Sequence, residues 1–215
     1  MSEIHAVLFD FGGVVTTSPF EAFNRHEADI GVPVDTIRGI NATNPDDNAW
    51  ARMERSEVTI TEFCELFESE AAALGHEISG QSVLDCLSGS LRPEMLRALD
   101  VLASRLRIGC ITNNMNQGHG AGMARSADQA AAVAEVMTKF EVVIESSKVG
   151  LRKPDPRIYE LACSEMGIEA RHTVYLDDLG VNCKPARAMG MSTIKVVSAD
   201  QALEELTELV GFALT

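Results

Sequence analysis

Residues 4–13 read Ile-His-Ala-Val-Leu-Phe-Asp-Phe-Gly-Gly. The first six, IHAVLF, have the length of one β-strand, and the strand ends at Asp10-Phe11-Gly12-Gly13. Four more runs of this kind follow: RIGCIT at 107–112, EVVIES at 141–146, TVYLDD at 173–178 and STIKVV at 192–197. Between them lie helical patterns at 93–104, 125–138, 156–166, 185–189 and 200–210. Strands alternating with helices predict βαβ units, hence an α/β fold with a parallel sheet and right-handed crossovers.

Residues 18–90 break that rhythm. They hold no convincing strand but several amphipathic helical stretches, the clearest being TEFCELFESEAAAL at 61–74, and a polar connection NATNPDDN at 41–48. This segment is read as a helical cap, with residues 1–17 and 91–215 forming the core. The Ala-rich stretch at 130–134 is a good helix former.

Composition narrows the function classes. Of the 215 residues, 46% are hydrophobic and 23% charged, ordinary values for a chain with a real core. Aromatic residues make up only 5%, too few for base-stacking platforms, and the net charge of −14 repels nucleic acid and anionic membranes. An anionic substrate must therefore be drawn in by a local positive cluster or a metal. Five cysteines at unrelated spacings, with no CxxC, read as reduced thiols. The N-terminus lacks the pattern of a signal peptide, and no apolar run approaches the ~18 residues that span a bilayer. The expectation is a cytoplasmic protein. A homodimer through the cap or the Ala-rich helix is open, since nothing in the sequence fixes it.

In open parallel sheets, ligands bind beyond the carboxyl ends of the strands. Here those ends carry Asp10, then Thr112-Asn113-Asn114, then Asp177-Asp178, with Lys153 in GLRKPDP after the third strand. Singly, each fits a turn, a helix cap or a solvated acid. Jointly they bring carboxylates, a hydroxyl and an ammonium to one sheet edge, which is the making of a metal-and-phosphate site. A carboxylate nucleophile splits phosphate-ester hydrolysis through an aspartyl-phosphate. Attack of one anion on another needs charge cancellation, which Mg²⁺ and Lys153 can supply. Mg²⁺ prefers carboxylate, carbonyl and water oxygens, matching Asp10, Asp178 and nearby backbone. The Thr112 hydroxyl, the Asn113 backbone and the Gly12-Gly13 amides can hold phosphoryl oxygens.

At these residues the chain resembles the haloacid dehalogenase superfamily. Its four motifs stand in order as LFDFGGVV (8–15), CITNN (110–114), Lys153 in GLRKPDP and YLDDLGVN (175–182). The details look closest to the phosphatase domain at the N-terminus of soluble epoxide hydrolases, and bacterial sugar-phosphate phosphatases are similar as well. The resemblance implies a Rossmann-like, three-layer α/β/α core with the cap inserted after the first motif. It implies Asp10 as nucleophile, with Lys153 pairing with nucleophile and phosphoryl group. Thr112 and Asn113 would hold phosphate. Asp178 would bind Mg²⁺ directly, Asp177 directly or through water, with Gly12 contributing its carbonyl and Asn182 supporting the metal shell.

One departure matters. Most phosphatases of the superfamily carry a second Asp two residues after the nucleophile as general acid and base, and here that position is Gly12. The loss removes a contribution of about 10²–10⁴-fold. Three readings stay open: a phosphatase for good leaving groups such as anomeric or acyl phosphates, a proton supplied by the cap or the substrate, or another reaction. Metal-independent 2-haloacid dehalogenases also lack that Asp, but usually lack the acidic pair as well. Phosphonate cleavage needs a cap lysine, and residues 18–90 contain none. A non-catalytic binding module is the rival of a different class. Substrate choice is placed in the cap, where His26, Trp50, Arg52, Arg55 and residues 41–48 are polar or amphipathic enough to face a cleft. Trp50 and Phe63 also read as cap core. His119 in QGHGAG is a loop residue able to shield the site, and Arg152 adds positive potential beside Lys153.

Overall fold

The computed structural model describes residues 3–115 and 126–214. His119 and Arg125 lie outside the described residues. Five strands, β1 (Ala6–Phe9), β2 (Arg107–Thr112), β3 (Val142–Glu145), β4 (Thr173–Asp177) and β5 (Ser192–Lys195), form one sheet in the order β3-β2-β1-β4-β5. Every pairing is parallel. β1 is central, its four residues wholly buried between neighbours on both sides; the chain steps outward from it to β2 and β3, then crosses back to β4 and β5 on its other side. That reversal is the switch point at which α/β sheets open a crevice.

Alternation along the strands separates two layers of core. Val7, Phe9, Ile108, Cys110, Val174 and Leu176 pack on one face with residues of α6 (Pro93–Ala103), α7 (Ala127–Met137) and α11 (Ala199–Val210). Leu8, Ile111 and Tyr175 point the other way, onto α9 (Pro156–Met166) and α10 (Gly180–Ala188). The result is the expected α/β/α sandwich.

Between β1 and α6 the chain forms five helices: α1 (Pro19–Ile30), α2 (Thr36–Ala42), α3 (Ala49–Glu54), α4 (Ile60–Ala73) and α5 (Gly80–Asp85). They enclose their own apolar cluster, with Phe23, Ile37, Ile40, Met53, Phe63 and Phe67 buried. Trp50 packs edge-on against Phe23 and Phe63, at 6.1 and 5.8 Å between centroids. α4 starts on a reciprocal cap in which Thr59 and Glu62 each satisfy the other's backbone amide. The segment joins the core through an isolated bridge between Thr16 and Leu91.

Two expectations need correction. The helix expected to start at Pro185 starts at Gly180 and carries Pro185 inside it. Proline costs that helix one backbone bond, while its first turn is secured from β4, the Leu179 amide donating to Asp177 Oδ1 at 2.8 Å. Ser146, expected to end β3, instead opens a short helix, α8 (Ser146–Val149).

Candidate active site

The register of the sheet sets the site. Phe9 lies opposite both Cys110 and Leu176, and the Asp10 amide still donates to the Leu176 carbonyl at 2.8 Å. One residue outward stand Asp10 and Asp177, and one further Thr112 and Asp178, so three adjacent strands deliver them to the same edge. Lys153, only 1% exposed, reaches in from the α8–α9 loop. Its Nζ lies 2.8 Å from Asp10 Oδ1 and 2.9 Å from Asp177 Oδ2. The Phe11 amide also donates to Asp10 Oδ1, at 2.6 Å, so Oδ2 is the oxygen of Asp10 with no hydrogen-bond partner among the described residues.

Asp177 is fully buried, and protein donors occupy both its oxygens. Tyr175 Oη donates at 2.5 Å and Asn182 Nδ2 reaches both oxygens at 3.1 Å, besides Lys153 and the Leu179 amide. Asn182 thus supports Asp177, and its own carbonyl accepts from Tyr159 Oη at 2.7 Å. Asp178 is more open, and its Oδ2 accepts from Ser18 Oγ, the N-cap of α1, at 3.1 Å. Gly13 sits at φ 77°, and a Cβ there would collide with the Asp178 carboxylate. Gly12, by contrast, has nothing within 4 Å of the place its Cβ would take.

Charge in the site is unbalanced. Burial pushes the Asp10 carboxyl well above its ordinary range, with Lys153 opposing and Asp177 and Asp178 adding to the rise. Burial likewise raises Asp178, to about 6, with Asp177 contributing. Burial alone would lower Lys153, but Asp10 and Asp177 outweigh it and hold the ammonium charged. Burial and the neighbouring Asp177 also keep Tyr175 protonated as a donor. With all three carboxyls ionised, one ammonium would leave two negative charges uncompensated, which, on top of burial, is why protons are held so firmly there without a cation. One oxygen from each of Asp10, Asp177 and Asp178 lies within 4.8 Å of the others, so a divalent, oxygen-seeking cation fits both charge and donor set. Because the oxygens of Asp177 are already engaged, Asp10 and Asp178 are the carboxylates left for direct ligation.

The remaining sequence candidates sort clearly. Thr112 is buried at the end of β2, and its hydroxyl bonds to no described residue. The Asn113 carboxamide does not face an open site. It clamps the Lys153 peptide, Oδ1 accepting from the Lys153 amide at 2.8 Å and Nδ2 donating to the Lys153 carbonyl at 3.0 Å. Arg52 pairs with Asp47 and Arg55 with Glu57 on the surface. Asn48 is structural, holding the carbonyls of Asn41 and Thr43 and capping α3. Arg152 is not a free surface charge: its Nε lies 2.5 Å from Oε2 of the buried Glu54. Sequence reasoning missed Glu54 and Ser18. The spacing of Trp50 and Glu54, one helical turn apart, was the available signal for the first, since Trp50 Nε1 donates to Glu54 Oε1 at 3.1 Å.

A family model for haloacid dehalogenase-like hydrolases matches residues 4–190. The chain is 33% identical over 215 residues to mouse acyl-CoA dehydrogenase family member 10, covering 97% of this chain but only 19% of that relative, so it spans about a fifth of that protein's length. It is 30% identical to a phosphatase of Mycobacterium tuberculosis, covering 92% of this chain and 89% of the relative. Among solved structures, a family enzyme of Bacteroides thetaiotaomicron in complex with magnesium and inorganic phosphate shares the fold at a TM-score of 0.61 and 20% identity, covering 94% of this chain and 98% of that one. The L-2-haloacid dehalogenase of Xanthobacter autotrophicus does so at 0.60 and 19%, covering 99% and 84%. At such identities the two structures speak for the fold alone. With the matched region running from the first strand through the helix that follows β4, the chain belongs to the haloacid dehalogenase-like hydrolases.

Proposed function

We propose that the protein is a Mg²⁺-dependent phosphatase of small phosphorylated metabolites, with Asp10 as nucleophile and residues 18–90 as the cap that selects substrate. The observation that carries this reading is the single constellation at the sheet edge, with Lys153 Nζ within 3 Å of both Asp10 and Asp177 and Asp178 beside them.

Lys153 and the Phe11 amide fix Asp10 Oδ1, which leaves Oδ2 aimed by a rigid carboxylate. Its lone pair attacks phosphorus as the bond to the ester oxygen breaks, giving an aspartyl-phosphate and an alkoxide that takes up a proton. Water then attacks the same phosphorus as its bond to Asp10 breaks, so inorganic phosphate leaves, a proton of the water passes to solvent and the carboxylate is restored. Lys153 faces the charge that grows on the phosphoryl oxygens, and the Thr112 hydroxyl and the backbone amides after Asp10 orient them. Asp10, Asp178 and the Gly12 carbonyl would hold Mg²⁺, which when bound supplies Lewis-acid stabilisation of the phosphoryl group. With glycine at position 12, no side chain there protonates the leaving group, so substrates with good leaving groups are favoured.

The test is turnover of p-nitrophenyl phosphate with and without Mg²⁺, for the wild type and Asp10→Asn. The expected result is metal-dependent release of p-nitrophenol that the substitution abolishes. Chloride release from 2-chloropropionate without metal would assign the dehalogenase reaction instead. Silence across a broad panel of phosphorylated compounds would leave a binding module.

A further inference from the structure

Glu54 lies at the end of α3, within the helical insertion, and is 6% exposed. A carboxylate so placed needs partners, and each of its oxygens has one. Oε1 accepts from Trp50 Nε1 at 3.1 Å. Oε2 accepts from Arg152 Nε at 2.5 Å and from Asn113 Nδ2 at 3.2 Å. The last two donors belong to the core: Arg152 precedes Lys153 in the chain, and Asn113, from the end of β2, bonds to the Lys153 backbone. Arg152 is its chain neighbour and also donates to the Pro45 carbonyl of the insertion, at 3.0 Å. Asn113 grips the Lys153 peptide at both its amide and its carbonyl.

The carboxylate reinforces the facing of the Asn113 amide that the Lys153 amide and carbonyl also require. Only the NH₂ end can meet a carboxylate, which turns Oδ1 toward the Lys153 amide. Flipped, the carboxamide would set oxygen against carboxylate and NH₂ against the Lys153 N–H. A chain of contacts thus runs from α3 through Glu54, Asn113 and the Lys153 backbone to Nζ and Asp10 Oδ1. We infer that Glu54 is a positioning residue, contributed by the insertion, that fixes the backbone of Lys153 and so the placement of its ammonium on Asp10. Both its oxygens act as acceptors, so it holds groups in place and does not take the proton-donor role missing at Gly12. A second tether, Ser56 Oγ to the Ser147 carbonyl at 2.9 Å, keeps the same helix end against the core.

The inference rests on the proposed role of Lys153 in phosphoryl transfer, and its test separates the two. The primary readout needs no activity: backbone hydrogen exchange of the Lys153 amide in Glu54→Gln and in Trp50→Phe, which removes the bond to Oε1 and leaves a smaller ring between Phe23 and Phe63. Exchange at Lys153 is expected to accelerate tenfold or more in Glu54→Gln and less in Trp50→Phe, with the Leu8 amide of β1 unchanged. With p-nitrophenyl phosphate and Mg²⁺, kcat should fall about tenfold in Glu54→Gln at near-constant KM, as expected when a charged group is misplaced. Unchanged exchange at Lys153, or a fall in KM-dependent binding alone, overturns the inference. Should Glu54→Gln loosen Leu8 as well, Trp50→Phe decides: acceleration confined to Lys153 supports the clamp, and none overturns it. Faster exchange in a protein that hydrolyses no phosphate ester would keep the clamp and sink the phosphatase.

Discussion

At Asp10, the proposed nucleophilic role and stability oppose each other. Burial first, then the neighbouring Asp177 and Asp178, raise its pKa above the unfolded value against the pull of Lys153. A carboxyl whose folded pKa is raised contributes stability that is present below the unfolded pKa and lost as pH rises through the folded one. At pH 7 and without metal, the cost of charging this carboxyl therefore weighs against the fold. Asp10→Asn keeps the shape and removes that charge, so its metal-free Tm should equal or exceed that of the wild type, while turnover falls by about 10⁴-fold or more. Calorimetry beside steady-state kinetics checks both, and a clear drop in Tm would contradict the charge imbalance. Gly12 supplies the complementary experiment. Since a Cβ there meets nothing within 4 Å, Gly12→Asp has room for a carboxyl beside the proposed nucleophile. It should speed hydrolysis of alkyl phosphates, which need a proton, by tenfold or more. p-Nitrophenyl phosphate, whose leaving group needs none, should change little, and equal effects on both would argue against a missing general acid.

Among the elements, α3 starts on two side chains: Glu70 Oε1 accepts from the Ala49 amide at 2.7 Å, and Asn48 is the N-cap. Asn48 Oδ1 accepts from the Ala51 amide, and Nδ2 donates to the carbonyls of Asn41 and Thr43, all in a buried setting. Asn48→Ala removes a cap and strands two acceptors, so it should cost about 1–3 kcal/mol in a urea unfolding titration. Because α3 carries Glu54, kcat should drop as well. That a polar run at 41–48 hides such a residue shows where sequence reading stops. The sheet was legible, because each strand is a short apolar run ending at a chemically distinctive residue, and Asp10, Thr112, Lys153 and Asp177 announced themselves by their place at strand ends or in the lysine loop. The division of labour within the acids was not. Asp177 and Asp178 are adjacent in sequence, yet strand alternation buries one among Lys153, Tyr175 and Asn182 and leaves the other toward Ser18. Side-chain contacts across a hundred residues, such as Glu54 to Arg152, leave no periodic trace, and Pro185 misled because proline is commoner at a helix start than inside one.

For the molecule as a whole, the chain carries a net charge of −14 and still gathers three carboxylates around one lysine at its centre. Cation binding and protonation compete for that excess. Asp178 titrates at about 6, raised by burial and by Asp177, so in the metal-free protein its contribution to stability is present at low pH and declines as pH rises through that value. A divalent cation bound by the ionised carboxylate would reverse the sign, stabilising the folded state by mass action. Below pH 6 each ion must displace a proton, and its affinity should fall about tenfold per pH unit. At a fixed millimolar Mg²⁺ concentration, the gain in Tm should therefore be larger at pH 7.5 than at pH 5.0, and Asp178→Asn should flatten the difference. An equal gain at both pH values in the wild type would place the cation somewhere other than these acids, and would remove the charge argument on which the metal assignment stands.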